Sequence, residues 1–219
     1  RQGLRQVRHD LRQPVAGHFR HILWQSLLNA PPLAEILQAW VYVLSDQTVT
    51  TLPASLDQRF SQLLDYLRRQ RCLLILDNLE SILQSDEQNG GYRPGYEVYG
   101  QLIRHLAEGE HHSCLLLTSR ERPPALSQLE EETPAVRSLT LSGLPTEAGR
   151  QMLLERGLSA NLAGLSALVE HYSGNPLAIK LVAETVQEIF DGDVHAFLQA
   201  ESLVFDDIRH VLDQQFARL

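Results

Sequence analysis

Two runs that are apolar at every position stand out in the first half of the chain. The first, Leu73–Leu76, ends at Asp77, and the second, Cys114–Leu117, runs into Thr118-Ser119-Arg120. An uninterrupted apolar strand is typical of a parallel sheet with helices on both faces. Ligands of such sheets bind in the crevice at the carboxyl ends of the strands. The pattern therefore predicts that Asp77 and Arg120 lie at one functional edge.

The segments around these two runs predict strands that alternate with helices. A strand is predicted at His21–Leu27 and a fourth at Val136–Leu141, while amphipathic helices are predicted after Pro32, after the candidate N-cap Ser55 and from Tyr96. Strands and helices that alternate at these lengths indicate parallel βαβ units. The first helix has its apolar residues at helical spacing: Leu33, Ile36, Leu37, Trp40, Val41 and Leu44.

Beyond Gly143 the pattern predicts helices alone, which places a domain boundary near Ser142-Gly143. We expect an α/β domain over residues 1–142 and a helical domain over 143–200. Its predicted helices are Pro145–Glu155, Leu162–His171, Pro176–Phe190 and Val194–Gln199, and a further helix is expected from Asp207. The apolar face predicted for the third of these comprises Leu177, Leu181, Val182, Thr185, Val186, Ile189 and Phe190.

Composition narrows the possible partners. The 219 residues carry a net charge of -8, which argues against nucleic acid as the main partner, because binding to its backbone needs clustered Lys and Arg. No apolar stretch approaches the roughly 20 residues that span a bilayer, and no signal peptide is recognisable. We therefore expect a cytoplasmic protein that does not interact with membranes. Cys72 and Cys114 are expected to be buried thiols, and His111-His112 a polar loop pair.

Asp77 and Arg120 together fit a metal-bound polyphosphate. A carboxylate can hold Mg²⁺, usually through water, and a guanidinium can bind phosphate oxygens in a forked geometry. Each residue also has a purely structural explanation. Asp77 and Glu80 match a capping box for the next helix, and Arg120 can be a solvated charge before Pro123.

Three segments resemble motifs of NB-ARC domains, which belong to the STAND class of signalling ATPases. Leu73–Asn78 resembles their Walker B strand, Leu116–Arg120 their sensor 1 strand, and Gly174–Ala178 their Gly-x-Pro motif. Locally, Gly174–Ala178 also fits a helix start, with Asn175 as N-cap and Pro176 at the first helical position. The motifs occur in the family's order, and the resemblance extends from about His18 to the end of the chain. It is greatest to the bacterial branch, whose members often carry C-terminal WD40 or TPR repeats.

The resemblance implies a P-loop NTPase-like fold followed by a helical lid, and a switch that binds ADP or ATP with Mg²⁺. It implies that Asp77 holds Mg²⁺, that Arg120 faces the γ-phosphate, and that Pro176 and Leu177 pack on adenine. Nucleotide would bridge the two domains, and ATP would favour self-oligomerisation. Two alternatives remain: an interaction scaffold that kept the fold and lost the site, and a DNA-handling ATPase, which the acidic composition disfavours.

Two departures from the family pattern bear on catalysis and binding. Asn78 stands where many relatives have a second acid, and an amide can orient water but cannot accept its proton. Glu80 can replace that acid only if the turn after the strand brings it inward. We therefore expect slow hydrolysis at most.

No G-x-x-x-x-G-K-[ST] loop occurs, and the sole lysine is Lys180. We expect a fragment whose phosphate loop precedes Arg1, or a chain that has lost the loop; Gly3–Gln6 is a candidate remnant, and Arg1–Gln13 equally fits the helix after such a loop. The missing strand is expected between the Arg120 and Val136–Leu141 strands. This chain alone should therefore bind nucleotide weakly and aggregate readily. Residues 201–219 are expected to begin a winged-helix-like subdomain.

Overall fold

The computed structural model of the chain describes residues 16–84, 91–123, 126–159 and 161–199. These residues belong to two compact units, Arg1–Ser138 and Leu139–Leu219. The division falls a few residues before the boundary predicted at Ser142-Gly143. The predictions for residues 1–13 and 201–219 lie outside the described residues.

The first unit is built on a parallel sheet of three strands in the order β1–β2–β3. These are β1 (His21–Ser26), β2 (Cys72–Asp77) and β3 (Cys114–Leu117). All six residues of β2 are buried, as expected for a central strand. The three predicted strands and the α/β class with a parallel sheet are thereby confirmed.

Among the described residues of this unit, four α-helices accompany the sheet: α1 (Leu33–Leu44), α2 (Leu56–Arg69), α3 (Glu97–Glu108) and α4 (Leu126–Glu132). The first three were predicted, and α1 buries all six residues of its predicted stripe. Ser55 occupies the N-cap position of α2, but its side chain makes no capping hydrogen bond. These helices form one core with the sheet, whose largest buried members include Leu37, Phe60, Leu63, Leu67, Leu74, Leu76 and Tyr99.

The exposed face of β3 corrects two expectations. Leu115 and Leu117 pack against the core, whereas Cys114 and Leu116, which alternate with them, are exposed. Within the described residues β3 has only β2 as a neighbour, and since alternate side chains belong to opposite faces of a sheet, one face of β3 is uncovered. The prediction that both faces of the strand are covered is therefore confirmed for β2 and wrong for β3. Cys72 is buried as predicted, but Cys114 is not; both are free thiols.

The strand predicted at Val136–Leu141 is wrong. This segment has no ladder partner among the described residues, and Leu139 and Leu141 are each 84% exposed. Its first residue packs elsewhere instead: Val136 lies against the core of the first unit. The alternating sequence is suited to a strand, but a strand forms only where another can pair with it.

The second unit contains α5 (Thr146–Glu155), α6 (Leu162–His171) and α7 (Pro176–Phe190), as predicted, and residues 194–199 are also helical. The face predicted for α7 is partly wrong, because Ile189 is 66% exposed. The buried stripe lies one position away and consists of Ala178, Ile179, Val182, Ala183 and Val186. In the described ranges, no helix has the length and hydropathy needed to cross a membrane.

Candidate functional site

The strand register brings three polar residues side by side at the carboxyl edge of the sheet. Ser26 of β1 pairs with Asp77 of β2, and Leu76 pairs with Leu117, so Thr118 follows at the level of Asp77. Asn78, Glu80 and Arg120 are connected to this row by hydrogen bonds. The edge therefore gathers Asp77 and Arg120 into one polar cluster.

Asp77 is the only buried polar side chain in the part of the chain that the structure describes, at 7% exposure. Its Oδ1 accepts a hydrogen bond of 2.5 Å from the Thr118 hydroxyl. Its Oδ2 is buried and has no hydrogen-bond partner among the described residues. An unpaired buried carboxylate oxygen is costly, and such groups often have a role beyond stability. The capping box with Glu80 is not formed, since Asn78 is the N-cap of the following 3-10 turn, Leu79–Ile82.

Thr118 connects the ends of β2 and β3. Its backbone N–H donates to Leu76 O (3.0 Å), and its carbonyl accepts from Leu79 N (2.9 Å). Its hydroxyl accepts from Asn78 N (3.1 Å) while donating to Asp77. Sequence reasoning did not assign Thr118 a role, although its place one residue after a strand paired with β2 was a usable signal. Thr118 fixes the orientation of the Asp77 carboxylate.

The backbone conformation at position 78 favours asparagine. Its φ and ψ are 63° and 50°, in the left-handed region that asparagine tolerates better than most residues. The turn that follows brings Glu80 inward, so its side chain is only 10% exposed. Asn78 Nδ2 donates to Glu80 Oε1 at 3.4 Å. The inward position that sequence reasoning required of Glu80 is met, while a water-orienting role for Asn78 stays a prediction.

Glu80 and Arg120 form a two-point contact. Arg120 Nε donates to Glu80 Oε1 at 2.9 Å, and the Arg120 backbone N–H donates to Oε2 at 3.3 Å. Partial burial acts to raise the pKa of Glu80, but the hydrogen bonds from Arg120, the backbone and Asn78 outweigh it and leave the pKa below its ordinary value. Glu80 is therefore ionised at neutral pH. Arg120 is 63% exposed yet ion-paired, which differs from the simple solvated charge that was the structural alternative.

Pro176 and Leu177 belong to the second unit, whereas Asp77 and Arg120 belong to the first. Asn175 caps α7, because its Oδ1 accepts from the backbone N–H groups of Leu177 (3.0 Å) and Ala178 (3.2 Å). The predicted helix start is therefore confirmed. Pro176 is exposed and Leu177 half-buried, so both side chains are accessible to a ligand.

The backbone just before this helix start is crossed by the segment that leads into α5. Leu144 N donates to Gly174 O at 2.8 Å. A Cβ added at Gly143 would lie 1.9 Å from Ser173 O, and one added at Gly174 would lie 2.4 Å from Leu144 O. Gly174 also has a φ of +69°, which favours glycine. The two glycines thus allow a close crossing that positions Asn175, the residue that caps α7.

The first unit also has an open groove of about 670 Å³, which is lined by other residues. Residues of α1, the loop before α2 and Arg59 line it, and Asp77, Thr118 and Arg120 do not. Its charged members are Glu35 and Arg59, and Arg59 already donates to Pro53 O at 2.6 Å. The groove therefore lacks a set of converging polar and charged groups like the one at the carboxyl ends of the strands.

Comparison with known proteins gives one informative similarity. No family model matches the chain. The chain is 48% identical over 203 residues to an uncharacterized WD repeat-containing protein of Nostoc sp. (strain PCC 7120). The match covers 91% of this chain but 16% of that protein, so the chain corresponds to a small part of the relative's length.

Proposed function

We propose that this chain is part of a nucleotide-dependent molecular switch that binds ADP and Mg²⁺–ATP at the carboxyl edge of the sheet. The observation that carries the proposal is the buried Asp77 carboxylate, which has one oxygen fixed by Thr118 and the other unpaired among the described residues. Such an acid beside an exposed arginine suits a cation and the anionic phosphates bound to it. The resemblance to NB-ARC domains supports the same reading.

The residues present fit a magnesium ion. Mg²⁺ in nucleotide sites is held by one or two carboxylates together with water and substrate phosphates. Asp77 would supply the carboxylate through Oδ2, since Oδ1 already accepts from Thr118. The ion, when bound, neutralises phosphate charge. Thr118 would keep the carboxylate oriented, and Arg120 would contact the terminal phosphate.

The second unit would supply the adenine contacts. Pro176 and Leu177 are accessible at the start of α7, and Asn175 fixes their backbone. A nucleotide held by both units would favour whichever arrangement it binds more tightly, because a ligand shifts only equilibria whose states it binds differently. We propose that ADP stabilises a closed state and that ATP favours self-association.

A repeat domain is the partner proposed within the same polypeptide. The relative from Nostoc is named as a WD repeat-containing protein. We propose that the natural polypeptide containing this sequence also carries WD repeats, which would sense a partner while the nucleotide unit sets the state. Slow hydrolysis would reset such a switch, with Asn78 orienting the water.

Replacing Arg120 by alanine in the natural polypeptide is expected to weaken ATP binding much more than ADP binding. A charge-assisted hydrogen bond contributes about 1.5–3 kcal/mol, which is roughly a tenfold to hundredfold change in affinity. Calorimetric titration with a non-hydrolysable ATP analogue and with ADP measures both constants.

The matched control for this test is Arg122→Ala. Arg122 lies two residues further along the same loop and forms its ion pair with Glu130. We expect that variant to change neither affinity by more than about twofold, as is usual for surface pairs. Equal losses for ATP and ADP in Arg120→Ala would show that Arg120 attracts phosphates generally and does not distinguish the γ-phosphate.

A further inference from the structure

Arg120 is held from one side only. Glu80 engages the Nε edge of the guanidinium and the Arg120 backbone N–H. Among the described residues, no group accepts a hydrogen bond from the two terminal nitrogens, Nη1 and Nη2. Since the Arg120 side chain is 63% exposed and that of Glu80 only 10%, the carboxylate lies beneath an arginine whose outer edge is accessible.

This geometry matters because a free arginine side chain has many rotamers. Ordering such a side chain on binding therefore costs conformational entropy. Glu80 is itself fixed, since Asn78 Nδ2 donates to it and Asn78 N is bonded to the Thr118 hydroxyl. A chain of hydrogen bonds therefore runs from Asp77 through Thr118, Asn78 and Glu80 to Arg120.

We propose that Glu80 is a positioning residue, which orients the Nη edge of Arg120 toward a terminal phosphate and so sets the preference for ATP over ADP. The inference rests on the proposed nucleotide function and deepens it. It differs from two other roles for an inward acid. A latch would hold Arg120 away from phosphate, and a catalytic base would act on water without affecting binding.

The test compares Glu80→Ala and Glu80→Gln in the natural polypeptide, with ADP and a non-hydrolysable ATP analogue as probes in the presence of Mg²⁺. We expect Glu80→Ala to lose about tenfold in affinity for the ATP analogue, in line with other residues that orient a ligand contact. ADP affinity should change by less than about twofold. Glu80→Gln should fall between, because one amide oxygen can still accept from Arg120. Glu80→Gln also preserves the side-chain volume, so it still tests the proposal if Glu80→Ala fails to fold.

Two controls isolate the effect. Glu130→Ala removes the carboxylate that pairs with Arg122, and it should leave the ratio of the two affinities unchanged. In an Arg120→Ala background, Glu80→Ala should cause no further loss for the ATP analogue, because the group that it orients is gone.

The outcomes separate this proposal from the function on which it rests. Tighter binding of the ATP analogue by Glu80→Ala would overturn positioning and establish a latch. Unchanged binding with lost turnover would overturn it in favour of a catalytic base. An unchanged ratio with unchanged turnover would overturn it as well. A folded wild-type polypeptide that binds neither nucleotide would instead overturn the proposed function itself.

Discussion

Replacement of Asp77 by asparagine is expected to abolish the Mg²⁺ dependence of ATP binding without destabilising the nucleotide-free protein. The variant retains an oxygen that can accept from the Thr118 hydroxyl, but it loses the negative charge that would hold the cation. Loss of a charged contact of this kind lowers affinity by roughly a hundredfold at the upper end. Titrations with ATP at several Mg²⁺ concentrations measure the effect.

The stability measurement makes this prediction specific. Asp77 is a buried carboxylate with an unpaired Oδ2. The asparagine removes the buried charge but places an amide N–H₂ group where that oxygen has no partner, so two desolvation costs oppose each other. The free energy of unfolding should therefore stay the same within about 1 kcal/mol. Asp65→Asn serves as the control, because Asp65 is an exposed partner of Arg68 on α2. A destabilised Asp77→Asn protein with normal Mg²⁺-dependent binding would show that Asp77 has a structural role only.

Substitution of Gly143 or Gly174 by alanine is expected to destabilise the second unit strongly. At Gly143 the added methyl group would lie 1.9 Å from a backbone oxygen, which cannot move as a flexible side chain can. Over-packing typically costs about 1–3 kcal/mol and occasionally more. At Gly174 the collision is added to the cost of a left-handed conformation. Hydrogen exchange should show faster exchange across α5, α6 and α7 and unchanged protection in β2.

Gly157→Ala is the matched control for this pair. Gly157 also has a positive φ, +79°, but the nearest atom to its added Cβ is Gln187 Nε2 at 3.5 Å, on a side chain. Gly157→Ala therefore includes the cost of a left-handed conformation, roughly 1–2 kcal/mol, without the backbone collision. If Gly174→Ala were destabilised no more than Gly157→Ala, and Gly143→Ala, which has no positive φ, were not destabilised, conformation alone would explain the loss. The close crossing beside Asn175 would then have no special importance.

The central strand and the buried face of α1 were predictable from sequence because their burial leaves a local signal. β2 is apolar from Cys72 to Leu76 and ends at Asp77, which predicts both a central strand and a polar residue at its end. The α1 stripe was likewise predicted completely by its helical spacing. Both features depend on residues that are close together in the sequence.

Features that depend on distant partners were not predictable in this way. Thr118 meets Asp77, and Arg120 meets Glu80, across a separation of about 40 residues. Sequence reasoning considered Glu80 but could not establish its inward position, which depends on the left-handed turn at Asn78. The strand prediction for Val136–Leu141 is wrong for the same reason. Alternation of apolar and polar residues indicates that a segment can form a strand, but not that a neighbouring strand is present to pair with it. The exposure of Cys114 likewise depends on what covers that face of β3, which the apolar run itself does not encode.

We propose that the polar cluster at the carboxyl edge of the sheet binds nucleotide through Asp77 and Arg120. The most direct measurement is a calorimetric titration of the folded natural polypeptide with ADP and with a non-hydrolysable ATP analogue, each with Mg²⁺ and with chelator. We predict one nucleotide per chain, and Mg²⁺ dependence for the ATP analogue that disappears in Asp77→Asn. Failure of the folded protein to bind either nucleotide at millimolar concentration would contradict the claim and favour an interaction scaffold that retains only the fold.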